Sequence, residues 1–178
     1  MDDDISKGED LNPDKGFNEL VLEYGPRIYG TVRGMVGTHE TADDIVQETF
    51  LRAYRNFKSF RGDAEIGTWL TRIALNLVYS KSRRKKLFST TSIEEYVDSI
   101  AADNPLPEEN IIEKERRIFV ESALAELPNK QRAVFVLRMY EDKSFNEIAL
   151  IMGTSESASR ANFHQALNKL KKLASEKK

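Results

Sequence analysis

The sequence predicts an all-α protein of two small helical domains joined by an acidic linker, and three observations carry that prediction. Nearly every periodic segment repeats its apolar residues at i, i+3, i+4 and i+7. No segment alternates apolar and polar residues as a half-buried strand does. The charge falls into four blocks: residues 1–50 hold 4 Lys/Arg against 12 Asp/Glu, 51–86 hold 10 against 2, 87–127 hold 3 against 10, and 128–178 hold 10 against 5. Two basic blocks separated by an acidic one suggest two polyanion contacts on one chain, the plainer alternative being solvated charged faces.

Residues 1–13 read as an acidic, disordered N-terminus. Phe17, Leu20, Val21 and Tyr24 follow the helical spacing. Gly25-Pro26 breaks it, and proline suits the first turn of a new helix, so a second helix is expected through Ile28, Val32, Met35 and Val36, ended by Gly37. Thr41 is the expected N-cap of a third, with Asp43 and Asp44 near the positive end of its dipole and Val46, Phe50, Ala53 and Phe57 on its buried face. Thr68 is expected to cap a fourth, with Trp69, Leu70, Ile73, Ala74 and Leu77 inward. Residues 89–110, with two prolines and many carboxylates, read as an irregular linker. Helices resume at Ile111, restart after Leu127-Pro128, and open again with a capping box from Ser144 to Glu147. Gly153 ends that helix, and a last one runs from about Glu156 to Leu173. The domains are thus expected at 14–88 and 111–178.

Composition closes off several classes. The chain of 178 residues has no cysteine, which excludes disulfides, thiolate metal sites and cysteine nucleophiles. The N-terminal MDDDISKGEDLNPD is unlike a signal peptide. The longest apolar run, Ala133 to Leu137, is far too short to cross a bilayer, so a cytoplasmic protein without membrane insertion is expected. The two histidines, His39 and His164, fall in different modules, and no GxxxxGK[ST] loop or paired metal-ligand motif occurs. No catalytic residue, metal or cofactor is expected.

Two segments carry candidate chemistry. SFNEIALIMGTSESASRANFHQALNKL has helix-turn-helix spacing: Ile148 and Met152 face inward, Ala149 allows a close crossing, and Gly153 suits a left-handed turn. The second helix buries Ser159, Phe163, Ala166 and Leu170 and presents Ser157, Arg160, Asn162, His164 and Gln165 as candidate base or phosphate contacts. In WLTRIALNLVYSKSRRKK an amphipathic helix ends in Lys81, Arg83, Arg84, Lys85 and Lys86. One or two cations complement a helix C-terminus; five point to phosphate. Just upstream, SFRGDAEIG offers Phe60, Arg61, Gly62, Asp63 and Ala64, a loop able to hold an unstacked base by stacking and edge hydrogen bonds.

Taken together these segments resemble a family. DDIVQETFLRAYRNFKSFRGDAEIGTWLTRIALN resembles the second conserved region of bacterial sigma factors of the sigma-70 class, and ELPNKQRAVFVLRMYEDKSFNEIALIMGTSESASRANFHQALNKLKKL resembles their fourth. The intervening segment is too short for a third region and no acidic first domain precedes region two, a layout similar to the extracytoplasmic-function subgroup. The resemblance implies a transcription-initiation role in stress response, with core RNA polymerase (its largest-subunit clamp helices and beta flap), promoter DNA and an anti-sigma factor as partners. It implies that Asp43, Asp44, Gln47, Glu48, Leu51 and Arg52 meet the clamp helices, and that Phe60 to Ala64 capture a flipped base of the minus-ten element. Trp69 would flank the melted DNA, Leu70 standing where housekeeping factors have a second tryptophan. Arg72 and Asn76 would meet the upstream part of that element, with Lys81, Arg83 and Arg84 on phosphate. In the fourth region only Arg160 keeps a charge where relatives often carry Lys or Arg at the positions of Arg160, Asn162 and Gln165, and Ser159 stands where an aliphatic residue is usual. The alternative is a helix-turn-helix regulator that is not a polymerase subunit. The charge blocks add one more expectation: the linker could fold the modules together and mask their basic faces.

Overall fold

The computed structural model describes residues 13–57, 60, 62, 64–88 and 111–176. The acidic N-terminus, the 89–110 linker, Arg61 and Asp63 lie outside the described residues. Among those described, all regular structure is helical: α1 (Pro13–Met35), α2 (His39–Asn56), α3 (Ile66–Phe88), α4 (Ile111–Ala125), α5 (Asn129–Met139), α6 (Phe145–Met152) and α7 (Glu156–Glu176).

α1 is one helix where the sequence predicted two, with Pro26 inside it. Proline removes one backbone donor and crowds the carbonyl four residues back, here that of Leu22. Leu22 is 78% exposed and Pro26 is exposed too, so water can serve the freed carbonyl and the break is tolerated on the outer face. Inward, Ile28, Val32 and Met35 keep an unbroken buried stripe. Two caps also differ from expectation. Thr38, extended at φ −125° and ψ 150°, caps α2 and accepts a hydrogen bond from the Thr41 N–H at 3.2 Å, so Thr41 is the third residue of the helix. α3 starts two residues before Thr68, which is buried within its first turn. The later signals hold. Ser144 and Glu147 form the reciprocal capping box, and Gly153 closes α6 in the left-handed region at φ 62°.

α1, α2 and α3 pack around Ile28, Val32, Ile45, Phe50, Leu70 and Ala74. α7 lies across α5, α6 and the end of α4, burying Ser159 and Ala166 completely. The two modules share one apolar cluster, in which Val134, Val136, Leu137, Ile148 and Ile151 join the residues of α1–α3. Gly34 on α1 makes this approach possible, because a Cβ there would sit 2.9 Å from Val136 Cγ2. Arg132, 7% exposed, donates through Nη1 to Met35 O at 2.9 Å and through Nη2 to Ala125 O, so one guanidinium closes the C-terminal ends of α1 and α4. Polar contacts ring the junction: Arg33 with Glu121 at 3.0 Å, Arg27 with Glu141 at 3.3 Å, and Asn129 Nδ2 donating to Ser82 Oγ at 3.0 Å.

This packing hides less charge than the blocks led us to expect. Asn76, Lys81, Arg83 and Arg84 are exposed, as is most of the outer face of α7. Arg72 is the residue engaged: its Nε donates to Leu150 O at 2.9 Å, and its Nη2 reaches the same oxygen, one of the carbonyls the end of α6 leaves without an intrahelical partner.

Candidate nucleic-acid and polymerase interfaces

The start of α3 builds an aromatic corner. The ring of Phe60 lies 5.0 Å from that of Trp69 at an interplanar angle of 41°, and Phe60 N–H donates to Phe57 O at 3.0 Å, folding the loop back over the end of α2. Gly62 beside it is exposed with a left-handed φ of 74° and nothing near its Cβ position. Ala64 and Trp69 are half-buried, and Trp69 packs against the core. Arg72, Asn76 and Arg83 share one exposed side of α3, whereas exposed Lys81 lies about half a turn from Arg72, on the α2 side, and exposed Arg84 lies between the two. Tyr79, seven residues after Arg72 and so on the same side of the helix, has a buried hydroxyl, and burial pushes it up to about 12.

The α2 face is acidic and mostly exposed. Asp43, Asp44, Gln47, Leu51 and Arg52 are exposed and Glu48 is half-buried. Asp44 Oδ2 lies 3.2 Å from Lys81 Nζ, which ties this face to α3, and Glu48 pairs with Arg52 at 2.7 Å. Beside Asp43, Gln47 and Leu51 a groove of about 670 Å³ runs between α1 and α2, walled by Phe17, Val21, Phe50 and Tyr54. Sequence reasoning named Phe17, Val21 and Phe50 as apolar helix faces and did not join them into the wall of a groove.

In the helix-turn-helix, Ser155 caps α7 by accepting from the Ala158 N–H at 3.1 Å. Buried Ser159 fixes the rotation of the helix: Ser157, Arg160, Ala161, His164 and Gln165 are exposed. Asn162 departs from expectation. It is half-buried, and its Nδ2 donates to Ala158 O at 2.8 Å. Two residues along a helix turn about 200°, so Asn162 cannot share the face of Arg160. Gln165 accepts from Gln131 Nε2 at 2.9 Å. Arg160 lies 4.7 Å over the ring of Phe145 and pairs with Glu156, a residue the sequence reading did not single out although its i, i+4 spacing to Arg160 was visible. The cap behind this face is electrostatically firm: hydrogen bonding by the Ser144 side chain, then by Lys143 and the Ser144 N–H, holds Glu147 at about 2.

Among the described residues no helix is long and apolar enough to cross a membrane, and no three His, Asp or Glu residues cluster as a metal site would require. Comparison with known proteins matches both modules. Residues 20–88 match the sigma-70 region 2 family and residues 114–170 the sigma-70 region 4 family. The chain is 32% identical over 164 residues to the ECF RNA polymerase sigma factor SigW of Bacillus subtilis strain 168, covering 88% of this chain and 87% of that one. It is 32% identical over 169 residues to the ECF RNA polymerase sigma-E factor of Escherichia coli K12, covering 91% and 86%. The fold is that of the sigma factor RpoE of Bartonella quintana, solved in complex with the anti-sigma factor NepR, with a TM-score of 0.70 at 23% identity over 90% of this chain and 98% of that one. With both regions matched in order and the relatives spanned over most of their length, the chain belongs to the ECF group of sigma-70 RNA polymerase sigma factors.

Proposed function

We propose that this sigma factor divides its work among three faces. The chain binds core RNA polymerase, directs it to promoters and assists DNA melting. Residues 14–88 form the module that binds polymerase and the minus-ten element; residues 111–178 bind the minus-thirty-five element, and 89–110 join them. The α2 face, Asp43, Asp44, Gln47, Glu48, Leu51 and Arg52, with the apolar groove beside it, takes the polymerase clamp helices. The corner from Phe60 to Ala64 with Trp69 traps an unstacked base, Arg72 and Asn76 meet the adjoining duplex, and Lys81, Arg83 and Arg84 hold phosphate. Ser157, Arg160, His164 and Gln165 face the upstream element. Asn162, turned off that face, contributes through the helix backbone it braces.

The observation that carries this reading is the pairing of Phe60 with Trp69 at 5.0 Å, beside a left-handed glycine and at the head of a basic helix. Base stacking on an aromatic contributes about 1–3 kcal/mol per base, comparable to the few kcal/mol needed to unstack one. Opening is thereby driven by trapped bases, with no nucleotide hydrolysis and no catalytic residue. A regulator acting on duplex DNA alone has no use for such a corner. The chain works in the cytoplasm, where its polymerase and promoter are, and an anti-sigma factor is a further partner, as the complexed relative illustrates. The test is run-off transcription from fragmented genomic DNA with core polymerase, with and without the protein. Discrete new starts that depend on it support the reading; no new starts together with no polymerase binding overturn it.

A further inference from the structure

We propose that Glu156 is a positioning residue for base recognition: it turns Arg160 into a reader of a guanine edge in the upstream promoter element and keeps it from serving as a phosphate clamp. The inference rests on the assignment of α7 to duplex DNA made above. Arg160 is the one cation among Ser157, Arg160, Asn162, His164 and Gln165, the candidate contacts of α7. Two restraints hold it. Its Nε donates to Glu156 Oε1 at 3.1 Å and its Nη2 donates to the same oxygen. Its guanidinium lies 4.7 Å over the Phe145 ring, itself braced edge-on by Phe163 at 5.5 Å.

The geometry has a chemical consequence. Glu156 occupies the Nε side of the guanidinium, which leaves the end-on fork of Nη1 and Nη2 free. That fork is the edge that pairs with guanine O6 and N7 in the major groove. Both residues are about half exposed, with side chains at 56% and 46%, and both lie in the first two turns of the helix, the part of a recognition helix that reaches base edges. A phosphate offered to Arg160 would also meet the carboxylate of Glu156, whereas a neutral base edge would not. The pair is close to neutral as a unit, so it contributes little to salt-dependent binding and much to selection. An ordinary surface i, i+4 pair would do neither; it would only add slightly to helix stability.

The experiment uses the holoenzyme. One promoter found by the run-off assay is rebuilt as a pool with its upstream element randomised and each member barcoded. The pool is transcribed with core polymerase and wild-type protein, Glu156→Gln, or Arg160→Ala, and transcripts are counted per sequence. Wild type is expected to favour guanine at one position by roughly tenfold or more. Arg160→Ala flattens that position to no preference. Glu156→Gln, isosteric but uncharged, lowers the same preference to about threefold or less by the same reasoning, while output from poor sequences rises relative to the best. A Glu156→Gln profile of unchanged shape, even at lower total output, overturns the proposal, because that is all a stabilising pair would produce. Failure of Arg160→Ala to alter any position overturns it as well. No transcription with wild-type protein would instead sink the sigma assignment beneath it.

Discussion

Gly34→Ala separates the stability of the helices from the packing of the modules. Gly34 lies inside α1, where alanine is favoured over glycine by about 1 kcal/mol. That gain is present whether or not the modules touch. The added Cβ would sit 2.9 Å from Val136 Cγ2 and 3.1 Å from Cγ1, well inside the usual 3.5–4.0 Å. Val136 is fully buried and β-branched, so it cannot swing aside. Overpacking of this kind costs about 1–3 kcal/mol. Only the junction between modules feels that cost, so the equilibrium between packed and separated modules should shift about 5- to 150-fold toward separation. Val136→Ala should restore the fit, since the Cβ at 136 is 3.6 Å from the new methyl, an ordinary contact.

The chain has no cysteine, so two can be introduced for dyes at exposed Glu19 on α1 and Lys171 on α7. Single-molecule energy transfer would report the separated fraction, expected to rise at least about fivefold in Gly34→Ala and to fall back in Gly34→Ala/Val136→Ala. The coupling between the two substitutions should be about 1–3 kcal/mol. A wild-type-like distribution for Gly34→Ala, or strict additivity in the double variant, would refute the claim that this contact governs the junction.

Three further outcomes are expected. Glu147 is depressed to about 2 from an ordinary value of 4.5, so the stability it adds is complete above about pH 5 and is lost as pH falls toward 2. Glu147→Gln keeps the capping-box geometry but removes the charge, so it should melt lower than wild type at pH 7, by roughly 0.3–1 kcal/mol, with the difference shrinking toward pH 2; a gap independent of pH would show that charge is not involved. Trp69→Ala should cut strand opening about 5- to 150-fold, one base stack, with polymerase affinity and helicity kept. Permanganate reactivity equal to wild type, or collapse of the circular dichroism signal, would leave Trp69 as a core residue only. Asp44→Ala with Gln47→Ala should weaken polymerase binding about tenfold or more yet barely change melting, because the Lys81–Asp44 pair is 49% and 65% exposed and such pairs contribute well under 1 kcal/mol. Undiminished competition against another sigma factor would count against the clamp assignment.

The helices were legible because each buries a stripe wide enough to leave a 3.6-residue period, and the box at Ser144–Glu147 and the turn at Gly153 were legible because their residues act locally. What misled was also local. Pro26 reads as a boundary, but a boundary is not forced where the proline and the carbonyl it displaces both face water. Thr41 reads as a cap as well as Thr38 does; only the extended backbone at Thr38 distinguishes them. The junction between modules could not be read at all. Gly34, Val136 and Arg132 each look like ordinary members of their own helix, and their roles appear only when α1 and α5 are brought together. The same holds for the groove between α1 and α2: Phe17, Val21 and Phe50 were legible as apolar helix faces, but not as the wall of one groove.

The packed arrangement treats the two helices proposed to meet DNA unequally, and the inequality has a direction. Most of the outer face of α7 is open, so the proposed contact with an upstream element would require no rearrangement. α3 carries α6 against its side, and the Leu150 carbonyl occupies the guanidinium of Arg72. If Arg72 serves the minus-ten element, that hydrogen bond must break first. The exchange favours DNA, because the guanidinium would trade a neutral carbonyl for an anionic phosphate oxygen and so add an ion pair that can be bidentate. The apolar cluster shared by the modules opposes it with far more contact area than a single hydrogen bond. Promoter DNA alone therefore has too small a lever at Arg72 to part the modules. The separating force has to come from a partner that binds both modules over large surfaces in their separated arrangement, and the α2 face with its groove offers polymerase such a surface on the first module without first disturbing the junction.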